Sequence, residues 1–262
     1  SGNIAETSSN RFEPSLMGVQ SSTGLSDILF GLEKAADDKN VKGVFIELSA
    51  ANCGYATATE IRKAIERFKE SGKFVVAYLQ GEAVSQKQYY IASVADEVYG
   101  FPSTVMEFGG LGAELMFLKG MFDKLDLEMQ VIRGSNNDFK SAVEPYFLTE
   151  MSDSSRVQVE RYLNDMWSQI KSTIGQQRNI SMAKLDEIAD STKIRRTKDA
   201  IALSMVDGVM YRDELMTMLA EKTGVENTDD LVLETFERYA KNKFENQQKI
   251  NRGKDANVAV II

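Results

Sequence analysis

The stretch Asp138-Phe139-Lys140-Ser141-Ala142-Val143-Glu144-Pro145 holds the residue types most able to do chemistry in this chain. The sequence contains no histidine, so no imidazole can serve as a general base. If a nucleophile is activated near neutral pH, a lysine or a carboxylate must take its proton. Lys140 lies between apolar Phe139 and the small residues Ser141 and Ala142, just ahead of an expected chain reversal at Pro145. A lysine accepts a proton only when its amine is neutral, and partial burial disfavours the ammonium. Hydrolases that pair a serine with a lysine have that requirement. Ser141 can orient the amine by a hydrogen bond or serve as a turn residue. Glu144 is either a supporting acceptor or, as its place before Pro145 favours, a solvated residue at the turn.

Composition excludes several classes. Thirty-one basic against 39 acidic residues give a net charge of −8, which argues against a nucleic-acid binder and against adsorption to anionic lipid. One cysteine, Cys53, forms no internal disulfide, and without histidine no transition-metal site or thiol-protease pair is expected. No cofactor is implied. No run of about twenty apolar residues exists to cross a membrane. At 43% hydrophobic residues, 262 residues bury a sizeable core.

The elements that must position these groups alternate between two periods. Leu25, Ile28, Leu29, Leu32 and Ala36 form a helical stripe. Val44 to Leu48 reads as a buried strand, Ser49 to Tyr55 as a loop, and Thr57 to Ser71 as an amphipathic helix ended by Gly72. Phe74 to Leu79 is a second buried strand. Gln86 to Val94 (helix), Glu97 to Phe101 (strand), Glu114 to Leu125 (helix) and Glu128 to Arg133 (strand) continue the series. This is an α/β pattern with a parallel sheet. A long helix spans Ser152 to Gln177, with Ser152 as N-cap and Leu163, Met166, Trp167, Ile170 and Ile174 inward. Shorter helices follow at 181–189, 197–203 and 212–222, with a short strand or turn at Val206 to Val209. Residues 1–24 are expected to be loosely ordered or an insertion, 25–225 to form the α/β domain, and 226–262 to be a charged linker with a terminal strand. The apolar run Val258 to Ile262 reads either as the start of a further domain or as a C-terminal edge strand.

Other residues invite a function less strongly. Gly109-Gly110-Leu111-Gly112 fits neither the dinucleotide fingerprint nor the P-loop and reads as a turn. Ser85 and Ser93 read as polar helix residues and Tyr89-Tyr90 as core. Met116-Phe117-Leu118 with Met121-Phe122 reads as core, with a peptide groove or subunit interface as the alternative.

Four ordered stretches resemble the signal peptide peptidase A, or protease IV, family of bacteria. They are Ser71-Gly72-Lys73 before a strand, Gln88 to Asp96, Phe139 to Pro145, and Ala202-Leu203 running to Val206-Asp207-Gly208. The similarity runs from about residue 25 onward and is to the first half of the long, two-half form. It implies a crotonase/caseinolytic-protease-like fold of repeated β-β-α units with a parallel sheet and a helical C-terminal extension.

The resemblance also implies a division of labour. The first half donates the lysine base, here Lys140, and the second half the serine nucleophile, which this sequence would lack. The terminal strand would then lead into that second half. Where the family's nucleophile turn is Ser-Gly-Gly-Tyr-like, this chain reads Lys87-Gln88-Tyr89-Tyr90, and where the family has an oxyanion Gly-Gly pair it reads Asn52-Cys53-Gly54. Lys87, Cys53 and Gly54 therefore mark a degenerate pseudo-site. The implied protein is a Ser-Lys serine peptidase that degrades remnant signal peptides, homo-oligomeric (a tetramer by resemblance) and held at the bacterial inner membrane, on the periplasmic side, by an anchor outside this sequence. The fragment alone would be inactive. The alternatives are a non-catalytic peptide-binding or assembly module of an oligomeric ring, and a crotonase-type acyl-CoA enzyme, since one fold hosts several functions.

Overall fold

The computed structural model describes residues 2–4, 24–49, 51–132, 134, 137–236, 238–239 and 258–261. The expectation for residues 1–24 falls almost wholly outside them. In chain order the strands are β1 (Gly2–Asn3), β2 (Gly43–Leu48), β3 (Ala51–Asn52), β4 (Phe74–Leu79), β5 (Ala83–Val84), β6 (Glu97–Gly100), β7 (Val105–Met106), β8 (Gly208–Val209), β9 (Leu233–Thr235) and β10 (Val258–Ile261). The helices are α1 (Leu25–Asp37), α2 (Tyr55–Lys69), α3 (Gln86–Ala92), α4 (Lys119–Lys124), α5 (Glu144–Phe147), α6 (Asp153–Arg178), α7 (Met182–Asp190) and α8 (Arg212–Thr223). The chain divides into two compact units, residues 1–109 with 174–262, and residues 110–173.

The first unit holds the principal sheet. Among the described residues it has six strands in the order β8-β6-β4-β2-β10-β9, every pair parallel. The repeats β2-β3-α2 and β4-β5-α3 are the expected β-β-α units, and β1-β3 and β5-β7 form small parallel pairs beside them. The fold class is α/β, consistent with a crotonase/caseinolytic-protease-like arrangement.

Sequence pattern accounts for the strands. Val44, Phe45, Ile46, Val75, Val76 and Ala77 are all buried, because helices cover both faces of a parallel sheet. One face carries Phe45, Val76 and Tyr78, which cluster with Leu215 and Leu219 of α8. Alternation places Val44, Ile46, Val75 and Ala77 on the other face. α1 packs against α2; α1 buries Ile28, Leu32 and Ala35, and α2 buries Ala58, Ile61, Ala64, Ile65 and Phe68 at helical spacing.

Two aspartates of the family-like stretches pin strand ends. Asp96 accepts from the Val75 N–H at 2.7 Å, and Asp207 from the Val98 N–H at 2.7 Å. Arg178 grips both Asp207 oxygens at 2.9 Å. Each is a charge-assisted hydrogen bond that closes a backbone donor at a strand start.

Several expectations need correction. The helix expected over 114–125 is confined to Lys119–Lys124, and residues 128–132 join no strand. The Met-rich face is not core, since Met116 is 77% and Met121 48% exposed. The edge-strand alternative for the terminal run gives way to an interior position. β10 lies between β2, from Gly43↔Val258, and β9. β9 and β10 are both strands of the principal sheet.

Candidate functional site

The second unit carries Lys140. Its backbone N–H donates to Asn137 O at 2.9 Å, and a 3₁₀ turn over Ser141–Val143 begins immediately after it. α5 follows, with Pro145 in its first turn, where a missing N–H costs nothing. The Leu118 N–H donates to Pro145 O at 2.7 Å, and the rings of Phe122 and Tyr146 stack at 6.4 Å, tying this turn to α4.

Lys140 is exposed, so this chain by itself does not supply the partial burial expected of it. Ser141 is half-buried. Glu144 corrects its expectation, because it is 2% exposed and not solvated. Its carboxylate accepts from Ser152 Oγ at 2.6 Å and from the Ser152 N–H at 3.3 Å. Ser152 Oγ in turn accepts from the Ser155 N–H at 3.2 Å, the N-cap bond expected of it. Sequence pattern identifies Ser152 only as a cap. Its bond to Glu144, eight residues earlier, follows no local pattern that sequence spacing would reveal.

The pseudo-site residues come together in the first unit. Ser85 caps α3 in a reciprocal box with Gln88, which places Lys87 in the first turn. Its ammonium donates to the backbone carbonyl of Cys53 and lies 5.7 Å from the Tyr55 ring centroid. Gly54 is the N-cap of α2 and makes no side-chain cap. Tyr55 Oη accepts from Gln86 Nε2 at 3.4 Å. Cys53 is buried. Burial pushes its thiol pKa up, and the Lys87 ammonium partly opposes this. A lysine amine and a thiol held neutral offer no hydroxyl nucleophile at this place. Ser85, a helix cap, and Ser93, buried and bonded to Arg62 Nη1 at 2.7 Å, are structural. Tyr89 and Tyr90 are core, as expected.

No group of three or more acidic, cysteine or histidine side chains that would hold a metal occurs among the described residues. No described helix is long and apolar enough to cross a membrane.

These features define a crotonase-like α/β chain with a peptidase-type motif set, and comparison with known proteins places it. Residues 67–226, more than half of the chain, match the family described as peptidase family S49. The chain belongs to that family, the one that includes signal peptide peptidase A and protease IV. It is 34% identical over 168 residues to Protease 4 of Haemophilus influenzae, covering 64% of this chain and 26% of that protein. It is 27% identical over 241 residues to the chloroplastic serine protease SPPA of Arabidopsis thaliana, covering 91% of this chain and 34% of that protein. A putative signal peptide peptidase SppA of Enterococcus faecium is 22% identical over 231 residues, 84% of this chain and 65% of that protein. The chain thus spans about a quarter to a third of the first two relatives.

Proposed function

We propose that this chain is the lysine-donating half of a serine peptidase of the signal peptide peptidase A type. The observation that supports the reading is Lys140, which lies within the stretch matching the family and leads into a 3₁₀ turn of its own unit; its role as the base comes from the resemblance of Phe139 to Pro145 to the family's lysine motif. The neutral amine of Lys140 removes the proton of a serine hydroxyl on the second half as that oxygen attacks the scissile carbonyl carbon. The proton then passes to the leaving amine as the C–N bond breaks, leaving an acyl-serine. Water repeats the sequence, with Lys140 again taking and returning a proton. Backbone N–H groups of the other half stabilise the oxyanion. The exposure of Lys140 in this chain fits a base that the partner half desolvates.

The substrates are extended apolar peptides, cleaved signal peptides among them. The protein works as a homo-oligomer at the bacterial inner membrane, on the periplasmic side, through an anchor outside this chain.

The test is serine-probe labelling and peptide hydrolysis by residues 1–262 alone and by the full-length protein. The fragment is silent, the full-length protein is active, and Lys140→Ala abolishes turnover with the fold retained. Robust probe labelling of the fragment would sink the division of labour. Full activity of Lys140→Ala would favour the second reading, a peptide-binding assembly module. The exposed apolar residues Met116, Met121, Leu125 and Ile132 lend that reading support.

A further inference from the structure

The second unit has little apolar interior with which to fix a turn. Among its described residues only Glu144, Ser155 and Ile170 are buried, and two of these three are polar. Glu144 is also the one buried carboxylate among the described residues of the whole chain. Desolvating a carboxylate is costly, and an apolar side chain of similar size would fill the space more cheaply. What the carboxylate adds is direction, because a hydrogen bond fixes orientation where an apolar contact does not.

We propose that Glu144 is a positioning residue for Lys140 and acts through Ser152, an inference that rests on Lys140 being the base. The connection is continuous. Lys140 leads directly into the 3₁₀ turn, and the Glu144 N–H closes that turn on Ser141 O. The Leu148 N–H returns to Glu144 O at 2.8 Å. From the same residue the carboxylate reaches Ser152 Oγ and N–H. Ser152 Oγ donates to Glu144 while accepting from Ser155, so its rotation is fixed at both ends. The carboxylate thus sits at the N-terminus of the 26-residue α6, where the helix dipole favours negative charge. The effect is to fasten the lysine's turn to the longest helix of the chain. A base displaced by about 1 Å can lose a hundredfold in rate, so such a fastening matters to turnover more than to substrate affinity.

The experiment uses the full-length protein. It measures kcat and KM on an extended apolar peptide, and the rate of fluorophosphonate labelling, for Ser152→Ala, Ser152→Thr, Glu144→Gln and Glu144→Ala on the wild-type and Lys140→Ala backgrounds. Ser152→Ala and Glu144→Ala are expected to lower kcat by about tenfold to a hundredfold with KM within about twofold. Ser152→Thr, which keeps the hydroxyl, retains most activity, and Glu144→Gln, which keeps one acceptor, falls between. On the Lys140→Ala background the same changes slow labelling no further, because the group they position is gone.

Wild-type kcat in Ser152→Ala overturns the proposal. So does an equal fractional loss of labelling on the two backgrounds, which marks a merely structural role. If Glu144→Ala does not fold, Ser152→Ala and Glu144→Gln decide the matter. A fully active Lys140→Ala removes the base and this inference together, whereas an inactive Lys140→Ala beside an active Ser152→Ala removes this inference alone.

Discussion

The ammonium of Lys87 is anchored on the backbone carbonyl of Cys53, 34 residues earlier in the chain, and so closes the turn that leads into α2. The bond joins the first turn of α3 to the residue just before the N-cap of α2, with the Tyr55 ring beside it. A charged hydrogen bond of this kind contributes about 1.5–3 kcal/mol when well shielded and less when half-exposed, as Lys87 is. Lys87→Ala should therefore lower the thermal midpoint by a few degrees while leaving peptide hydrolysis by the full-length protein within about twofold of wild type. Calorimetry and a peptide assay read the two arms. A large loss of turnover would return this site to the mechanism.

Lys140 should tolerate no other cation. Lys140→Arg keeps the charge, but a guanidinium does not give up its proton at working pH. Its turnover in the full-length protein should fall at least about a thousandfold, as far as for Lys140→Ala, with far-ultraviolet circular dichroism unchanged. Residual activity in the arginine variant well above that of the alanine variant would show that charge, and not proton transfer, is what the position supplies.

Cys53 gives a stability signature with a definite sign. Its folded-state thiol pKa is raised, so its neutral form is favoured by folding. The stabilisation is fully present below the unfolded pKa of about 8.5 and is lost as pH rises through the folded value. The advantage of wild type over Cys53→Ala in thermal midpoint should be constant below about pH 8.5 and shrink as pH rises above it. Alkylation of the native thiol should lag the denatured protein by more than about tenfold.

Gly175 sets helix propensity against packing. Alanine is favoured over glycine in a helix by about 1 kcal/mol. A Cβ at this position would stand 2.5 Å from Ile180 O, a backbone atom that cannot swing aside. Overpacking of that kind costs about 1–3 kcal/mol, so Gly175→Ala should be destabilising in a urea titration despite its better propensity.

Much of the first unit was legible because its elements repeat one period at a time. The stripes of α1 and α2 and the unbroken apolar runs of β2 and β4 report burial directly. Residues 110–132 misled for a related reason. Met116, Met121, Leu125, Leu127, Met129 and Ile132 have the composition of a core but are exposed in this chain. An apolar pattern records that surface is to be covered and is silent about what covers it. Glu144 was illegible because its burial depends on Ser152, a tertiary partner outside any helical or strand spacing. The place of β10 was illegible because strand order is decided by connections and not by the residues of one strand.

β9 touches the rest of the principal sheet only through β10, among the described residues, and β10 pairs with a strand more than two hundred positions upstream. During synthesis, then, β2 waits with an unmatched flank while about two hundred further residues leave the ribosome. Closure of so long a loop is slow, and an unpaired flank invites wrong partners in the interval. The emerging polypeptide is most vulnerable to aggregation until residue 261 has cleared the exit tunnel.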